Sequence, residues 1–245
     1  MNMKRTKLIC AAGVNESTGS YRESNAGLTP SAALHELRLQ PISLVAAKHI
    51  IIRNHYLHSF PGGTKLHIGV FLGTRLLGAL TLGVGPFLGY KIVRDAEPTD
   101  VITLTRLWLS DELPSNTESK VLGILLRELK KSTNLKFVLA YSDPAAGHVG
   151  TIYQGTNWFY IGLSSATPLY DIGDGKLHYS RSLAHQLGSH SMKYWNSKGL
   201  AVKTIPQMAK HKYIYFLDES WRSRLAVPEL PFPKKEGNSG NHGNH

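Results

Sequence analysis

The chain has 245 residues, of which 42% are hydrophobic and 18% charged, and its 28 Lys and Arg against 17 Asp and Glu leave a net charge of +11. That length accommodates a full core, and the positive surplus points to a polyanionic partner, nucleic acid before a membrane surface. A single cysteine, Cys10, excludes an internal disulfide framework, and no run approaches the ~20 apolar residues of a membrane span, so a soluble intracellular protein is expected.

Met1–Gly13 sets Lys4, Arg5 and Lys7 before LICAA, the outline of a secretory leader whose apolar part is too short. Gly13–Gly27 is rich in Ser, Asn, Gly and Glu, and residues 1–32 read as a flexible arm. The first strand is expected over Leu34–Leu39. A helix then begins near Ser43 and carries Leu44, Ala47, Ile50, Ile51 and Tyr56 at helical spacing, until Pro61, Gly62 and Gly63 close it. Leu66–Leu72 and Leu76–Val84 read as strands joined by Gly73 and Thr74 in a tight hairpin. VITLTRLWL, Val101–Leu109, is the next strand. Ser119–Lys131 is the next helix, with the stripe Val121, Leu122, Leu125, Leu126 and Leu129.

KFVLA, Lys136–Ala140, has the composition of a buried strand, which Asp143 and Pro144 end. Gly147 and Gly150 loosen the turn before a helix starting at Thr151, whose first N–H groups would offer an anion site. Phe159–Leu163 is a further strand, Ser182–Trp195 and Val202–Lys210 read as partly helical, and Tyr213–Leu217 is the final strand. From Pro228, PELPFP passes into KKEGNSGNHGNH, which reads as a disordered tail over residues 228–245. One domain, residues 33–227, is expected between the two loose ends. The order β, α, β-hairpin, β, α, β, α, β resembles that of the GNAT acyltransferases. Theirs is an α/β (α+β) fold whose mixed central sheet is flanked by helices, with an acyl carrier bound where two neighbouring strands splay apart.

Four places hold side chains suited to chemistry. In YSDPAAGHVGTIYQGTNW, Tyr141–Trp158, Asp143 is the candidate acid, base or orienting carboxylate, and Tyr153 the candidate proton donor or stacking ring. Asp before Pro is equally a turn former, and Tyr153 equally a core aromatic; His148 and Asn157 rank second. His55, Tyr56, His58 and Ser59 close the first helix as an active-site wall, a metal pair or simple capping groups. Thr105 and Arg106 alternate on an apolar strand, so one of them faces a cleft. The loop SDELPSNTESK lacks the glycines of a phosphate-cradling loop and reads either as a ligand loop or as an ordinary helix cap at Thr117 or Ser115.

Between Asp174 and Asp218 there is no carboxylate, while Lys176, Arg181, Lys193, Lys198, Lys203, Lys210 and Lys212 are interleaved with histidines and with Tyr179, Tyr194 and Trp195. A solvated face mixes signs. A one-signed stretch with rings suits phosphates with bases stacked nearby, so residues 175–217 read as a basic DNA-binding extension.

YSDPAAGHVGTIYQGTNW, SNTESKVLGILLRELKK after TRLWL, NHYLHSFPGG and AKHKYIYFL together resemble the Mom family of bacteriophage DNA-modifying proteins, over about Ile42–Leu217. The resemblance implies a transferase of GNAT fold that converts adenine in double-stranded DNA to its N6-carbamoylmethyl form, protecting it from restriction in the host bacterial cytoplasm. It also implies that Arg106 and Ser119 hold an acyl carrier, acetyl coenzyme A or a relative, and that His55, Tyr56, Asp143 and Tyr153 are active-site positions. Iron is suggested for the family, with His55, Tyr56 and Asp143 as the available ligands. The oligomeric state stays open, a homodimer among the options. Two other readings are an N-acetyltransferase acting on protein or small amines and a non-enzymatic DNA-binding protein.

Overall fold

The computed structural model describes residues 36–189 and 191–234. The expected arm at 1–32 and the residues after Lys234 lie outside the described residues. A seven-stranded mixed sheet has the order β1-β2-β3-β4-β5-β10-β6, built from β1 Leu37–Pro41, β2 Thr64–Leu72, β3 Arg75–Gly83, β4 Val101–Leu109, β5 Phe137–Ser142, β6 Phe159–Leu163 and β10 His211–Phe216. Where one domain was expected, the chain divides into two compact units. Among the described residues, the first comprises 36–140, 152–159 and 214–228, and the second 141–151, 160–189, 191–213 and 229–234.

In the first unit, Ser43 starts α1, Leu44–Asn54, by accepting the Ala46 N–H on its side-chain oxygen. The helix ends at Asn54, so Tyr56 stands beyond it rather than on its face. β2 and β3 pair antiparallel across Gly73 and Thr74, as the hairpin signal required. Leu77–Gly83 is buried throughout, as a strand without polar alternation must be when both faces are covered. α2, Thr117–Ser132, buries the predicted stripe Val121, Leu122, Leu125, Leu126 and Leu129, each such side chain contributing about 1.5–3 kcal/mol of apolar burial. The first strand begins at Leu37, three residues later than expected. The helix after Gly150 is shorter than the motif suggested: α3 spans only Thr151–Gln154. Thr156 and Trp158 turn their N–H groups back to Tyr153 O, and Asn157 takes a left-handed φ of 62° to lead Trp158 into β6. So short a segment offers no helix-end anion site.

The second unit contains a small sheet of order β8-β7-β9, from β7 Leu169–Asp171, β8 Leu177–Tyr179 and β9 Lys203–Ile205. The expected helix over Val202–Lys210 is therefore replaced by a strand that pairs with β7. α4, Ser180–Leu187, and α5, Met192–Ser197, cover this sheet's core, which is formed by Leu183 and Trp195. Tyr170 meets Trp195 edge-on at 5.2 Å, and the indole N–H donates to Ser189 O. The expected loose tail is placed through Lys234: the Leu230 N–H donates to Tyr160 O, and Phe232 stacks near Tyr213. Among the described residues no helix is long and apolar enough to cross a membrane.

Candidate active site

In the first unit the site grows from a defect in β4. Its register with β3 steps from Leu82↔Leu104 to Thr81↔Arg106, so Thr105 is an extra residue and forms a β-bulge. The Thr105 hydroxyl donates to Thr81 O at 2.9 Å and lies 2.8 Å from the Thr81 hydroxyl. The parallel ladder from β4 to β5 ends at Leu104↔Ala140, although β4 runs on to Leu109 and β5 to Ser142. The bulge thus lies at the point where β4 leaves its parallel neighbour.

Arg106 follows the bulge. Its guanidinium donates to Thr105 O at 2.7 Å and to Ser59 O and Oγ at 3.3 Å. It therefore ties the segment after α1 to β4. His55 is buried, caps α1 by donating its N–H to Ile51 O, and stacks on the half-exposed Tyr56 ring at 4.4 Å. His55 Nδ1 accepts the Leu57 N–H at 3.2 Å, which in a neutral ring puts the proton on Nε2 and makes that nitrogen a donor. His58 takes a φ of 43° and folds its Nδ1 to 3.1 Å from Ile52 O, a capping role rather than half of a metal pair.

Ser119 is half-buried in the first turn of α2. The cap of that helix is neither Thr117 nor Ser115 but Asn116, at φ 66° and without a side-chain cap bond. Thr117 lies inside the helix and donates its hydroxyl to Pro114 O. Among the described residues the N–H groups of Glu118 and Ser119 have no acceptor. The loop lacks glycine, yet Asn116 supplies the left-handed conformation that a glycine would, and the helix start stays open to an anion. Tyr153 is buried, its ring 5.1 Å from that of Trp158, so it belongs to the core of the first unit.

In the second unit Asp143 follows β5. One carboxylate oxygen accepts the Ala145 N–H at 3.0 Å, its carbonyl accepts the Ala146 and His148 N–H groups, and its other carboxylate oxygen lies 3.1 Å from the Lys210 ammonium. The turn closes on Tyr213, whose hydroxyl donates to Val149 O. Gly150 has a φ of 77°, and a Cβ there would lie 2.5–2.7 Å from the Tyr213 ring, so only glycine fits. Burial pushes the Tyr141 phenol up to about 12.

Among the described residues no His, Cys, Asp and Glu ligand set for iron is assembled. His55 spends the Nδ1 lone pair on Leu57, and Asp143 is held by Ala145 and Lys210. Sequence reasoning missed Lys210 as Asp143's partner, Asn116 as the loop's left-handed residue, and the Thr105 bulge. The polar pair Thr-Arg inside an apolar strand was a signal for the bulge.

The Mom protein family's sequence model matches residues 36–234. The chain belongs to the Mom protein family. Methylcarbamoylase mom of Escherichia phage Mu is 29% identical over 211 residues, covering 81% of this chain and 84% of that protein. Among solved structures, spermidine/spermine N-acetyltransferase SpeG from Vibrio cholerae, in complex with manganese ions, is 7% identical with a TM-score of 0.46 and covers 78% of this chain and 99% of that one. A GNAT family acetyltransferase from Elizabethkingia anophelis with acetyl-CoA bound is 6% identical with a TM-score of 0.43, covering 74% and 98%.

Proposed function

We propose that this Mom-family chain is a transferase that modifies DNA, converting adenine to N6-carbamoylmethyladenine and so shielding it from restriction in a host cell. The observation that carries the reading is the 29% identity, over most of both chains, to a protein named a methylcarbamoylase. The acid-free basic segment supports a DNA substrate. Lys176, Lys193, Lys198 and Lys203 are exposed and have no carboxylate partner among the described residues, and Lys198 lies 5.5 Å over the Tyr194 ring.

The exocyclic nitrogen of adenine is a poor nucleophile because its lone pair is delocalised into the ring, and in a duplex it is also paired. Adenine is flipped out in this reading. Asp143, an acceptor held in place by its own turn, takes an N6–H as the nitrogen gains its bond to CH2 and gives up a proton. In the first unit, His55 offers its Nε2–H as a donor and Tyr56 offers its half-exposed ring as a surface for stacking. Tyr153, being buried against Trp158, acts by supporting the core of the first unit. The acyl carrier, related to acetyl coenzyme A, fits the first unit: the open start of α2 at Glu118 and Ser119 suits its phosphates, and the bulge at Thr105 and Arg106 suits its extended arm. An acyl thioester reacts at its carbonyl, whereas this product is joined to N6 through CH2. When bound, the carrier would therefore have to present a leaving group on that CH2, and that group departs with the bonding electron pair as the N6–CH2 bond forms.

DNA from cells expressing the chain, digested to nucleosides and weighed, tests the reading: deoxyadenosine gains the mass of a carbamoylmethyl group. Unmodified deoxyadenosine, together with acetyl coenzyme A turnover on amines without DNA, would instead indicate an ordinary acetyltransferase. Unmodified deoxyadenosine with tight duplex binding would indicate a DNA-binding protein alone.

A further inference from the structure

Lys210 lies in the basic segment but differs from the lysines around it. Lys193, Lys198 and Lys203 are exposed, whereas the Lys210 side chain is only 26% exposed and its ammonium lies 3.1 Å from Asp143 Oδ2, on a side chain 12% exposed. Its backbone is clamped in both directions. The Lys210 N–H donates to Ser164 Oγ at 2.9 Å, and the Ser164 N–H donates to Lys210 O at 2.8 Å. Ser164 directly follows β6 and Lys210 directly precedes β10, so the lysine is fixed at the ends of two strands.

Asp143 is thus gripped from opposite ends, Oδ1 by the Ala145 N–H and Oδ2 by Lys210. Neither carboxylate oxygen is left to rotate, and the lone pairs that remain have a fixed direction. A shielded ion pair adds little net stability, because desolvation offsets most of the attraction. What such a pair supplies is orientation. We propose that Lys210 is a positioning residue for Asp143: it spends its charge on this carboxylate rather than on a DNA phosphate, and it sets the direction from which Asp143 receives an N–H of the substrate base. The inference rests on the adenine-modifying reading of Asp143 given above. It makes Lys210 a determinant of turnover, unlike the exposed lysines of the same segment, which determine affinity.

The full-length chain is expressed as wild type, Lys210→Met and Lys210→Arg at matched protein levels. The rate at which plasmid deoxyadenosine becomes modified is followed by nucleoside mass spectrometry. In parallel, affinity for an adenine-containing duplex is measured across salt concentrations. Lys210→Met is expected to slow modification by roughly 10- to 100-fold, the scale of a misplaced catalytic group, with the salt dependence of binding unchanged. Lys210→Arg, which keeps the charge and the reach, is expected to recover most of the rate. If Lys210→Met instead flattens the salt dependence by about one phosphate contact and loses rate only in proportion to occupancy, the lysine is a DNA contact and the proposal is overturned. Failure of the arginine to recover any rate overturns it as well. Should Lys210→Met not fold, Ser164→Ala loosens the same clamp while keeping both charges, and a several-fold slower modification at unchanged salt dependence is expected; wild-type rate overturns the proposal. A wild-type chain that adds no mass to deoxyadenosine sinks the adenine reading itself, and so is distinct from the outcomes that sink the role of Lys210.

Discussion

The two units place their polar groups by different means. In the first, backbone geometry does the work: a bulge at Thr105, a left-handed Asn116 and an uncapped helix start present donors and acceptors from a sheet whose core is almost wholly apolar. In the second, side-chain charge does it. Asp143 is fixed by Lys210, and the exposed surface is of one sign between Asp174 and Asp218. Backbone devices persist when a side chain changes, whereas a charge pair fails when either member is lost. The second unit should therefore be far more sensitive in activity to loss of a single side chain.

The largest effect expected from this contrast is at Asp143. Asp143→Asn keeps the size of the side chain but abolishes its charge, and modification of plasmid deoxyadenosine should fall by about 10²- to 10⁴-fold, the range for loss of a general base. Circular dichroism should show the fold retained. Near-wild-type modification by this variant would remove Asp143 from the chemistry.

Next is the pH dependence of stability at Tyr141. Its phenol ionises near 10 in the unfolded chain and near 12 when buried, so burial favours the protonated form in the folded state. Below pH 10 both states hold the proton and the group is neutral to stability relative to an ordinary tyrosine. Between pH 10 and 12 the unfolded state releases it first, and stability falls by about 2–3 kcal/mol. Tyr141→Phe should flatten that part of the curve in urea titrations, and an unchanged alkaline limb would count against burial of the phenol.

Gly150→Ala should cost about 1–3 kcal/mol, because it forces an alanine into a left-handed φ and drives its Cβ into the Tyr213 ring. Denaturant midpoints test this, and Gly147→Ala is the control: Gly147 shares the positive φ, but a Cβ there meets nothing within 4 Å. The difference between the two variants isolates the collision from the backbone strain.

What could be read in advance follows the same division. β4 and β6 and the buried stripe of α2 were legible because each repeats its pattern over several residues. β7, β8 and β9 were not, since a strand of three residues has no period to detect. The importance of Asp143 was visible from its place after a strand, but its partner was not: Lys210 is 67 residues away and looks, in the sequence, like any other lysine of the basic run. Tyr153 was left between a proton donor and a core aromatic for the opposite reason, since a tyrosine beside a turn carries no mark of the Trp158 ring that buries it.

The smallest effect is also the one that separates the lysines from each other. Lys193 and Lys198 are exposed, paired with no carboxylate among the described residues, and placed at either end of the short α5 with Tyr194 between them. If they meet phosphates, each of Lys193→Ala and Lys198→Ala should lower the slope of log affinity against log salt by about one and weaken duplex binding similarly for every sequence. Modification at saturating DNA should stay at the wild-type rate, the reverse of what Lys210→Met does. A slope that does not move in either variant would place the DNA on a different face and leave the acid-free segment as a solvated surface.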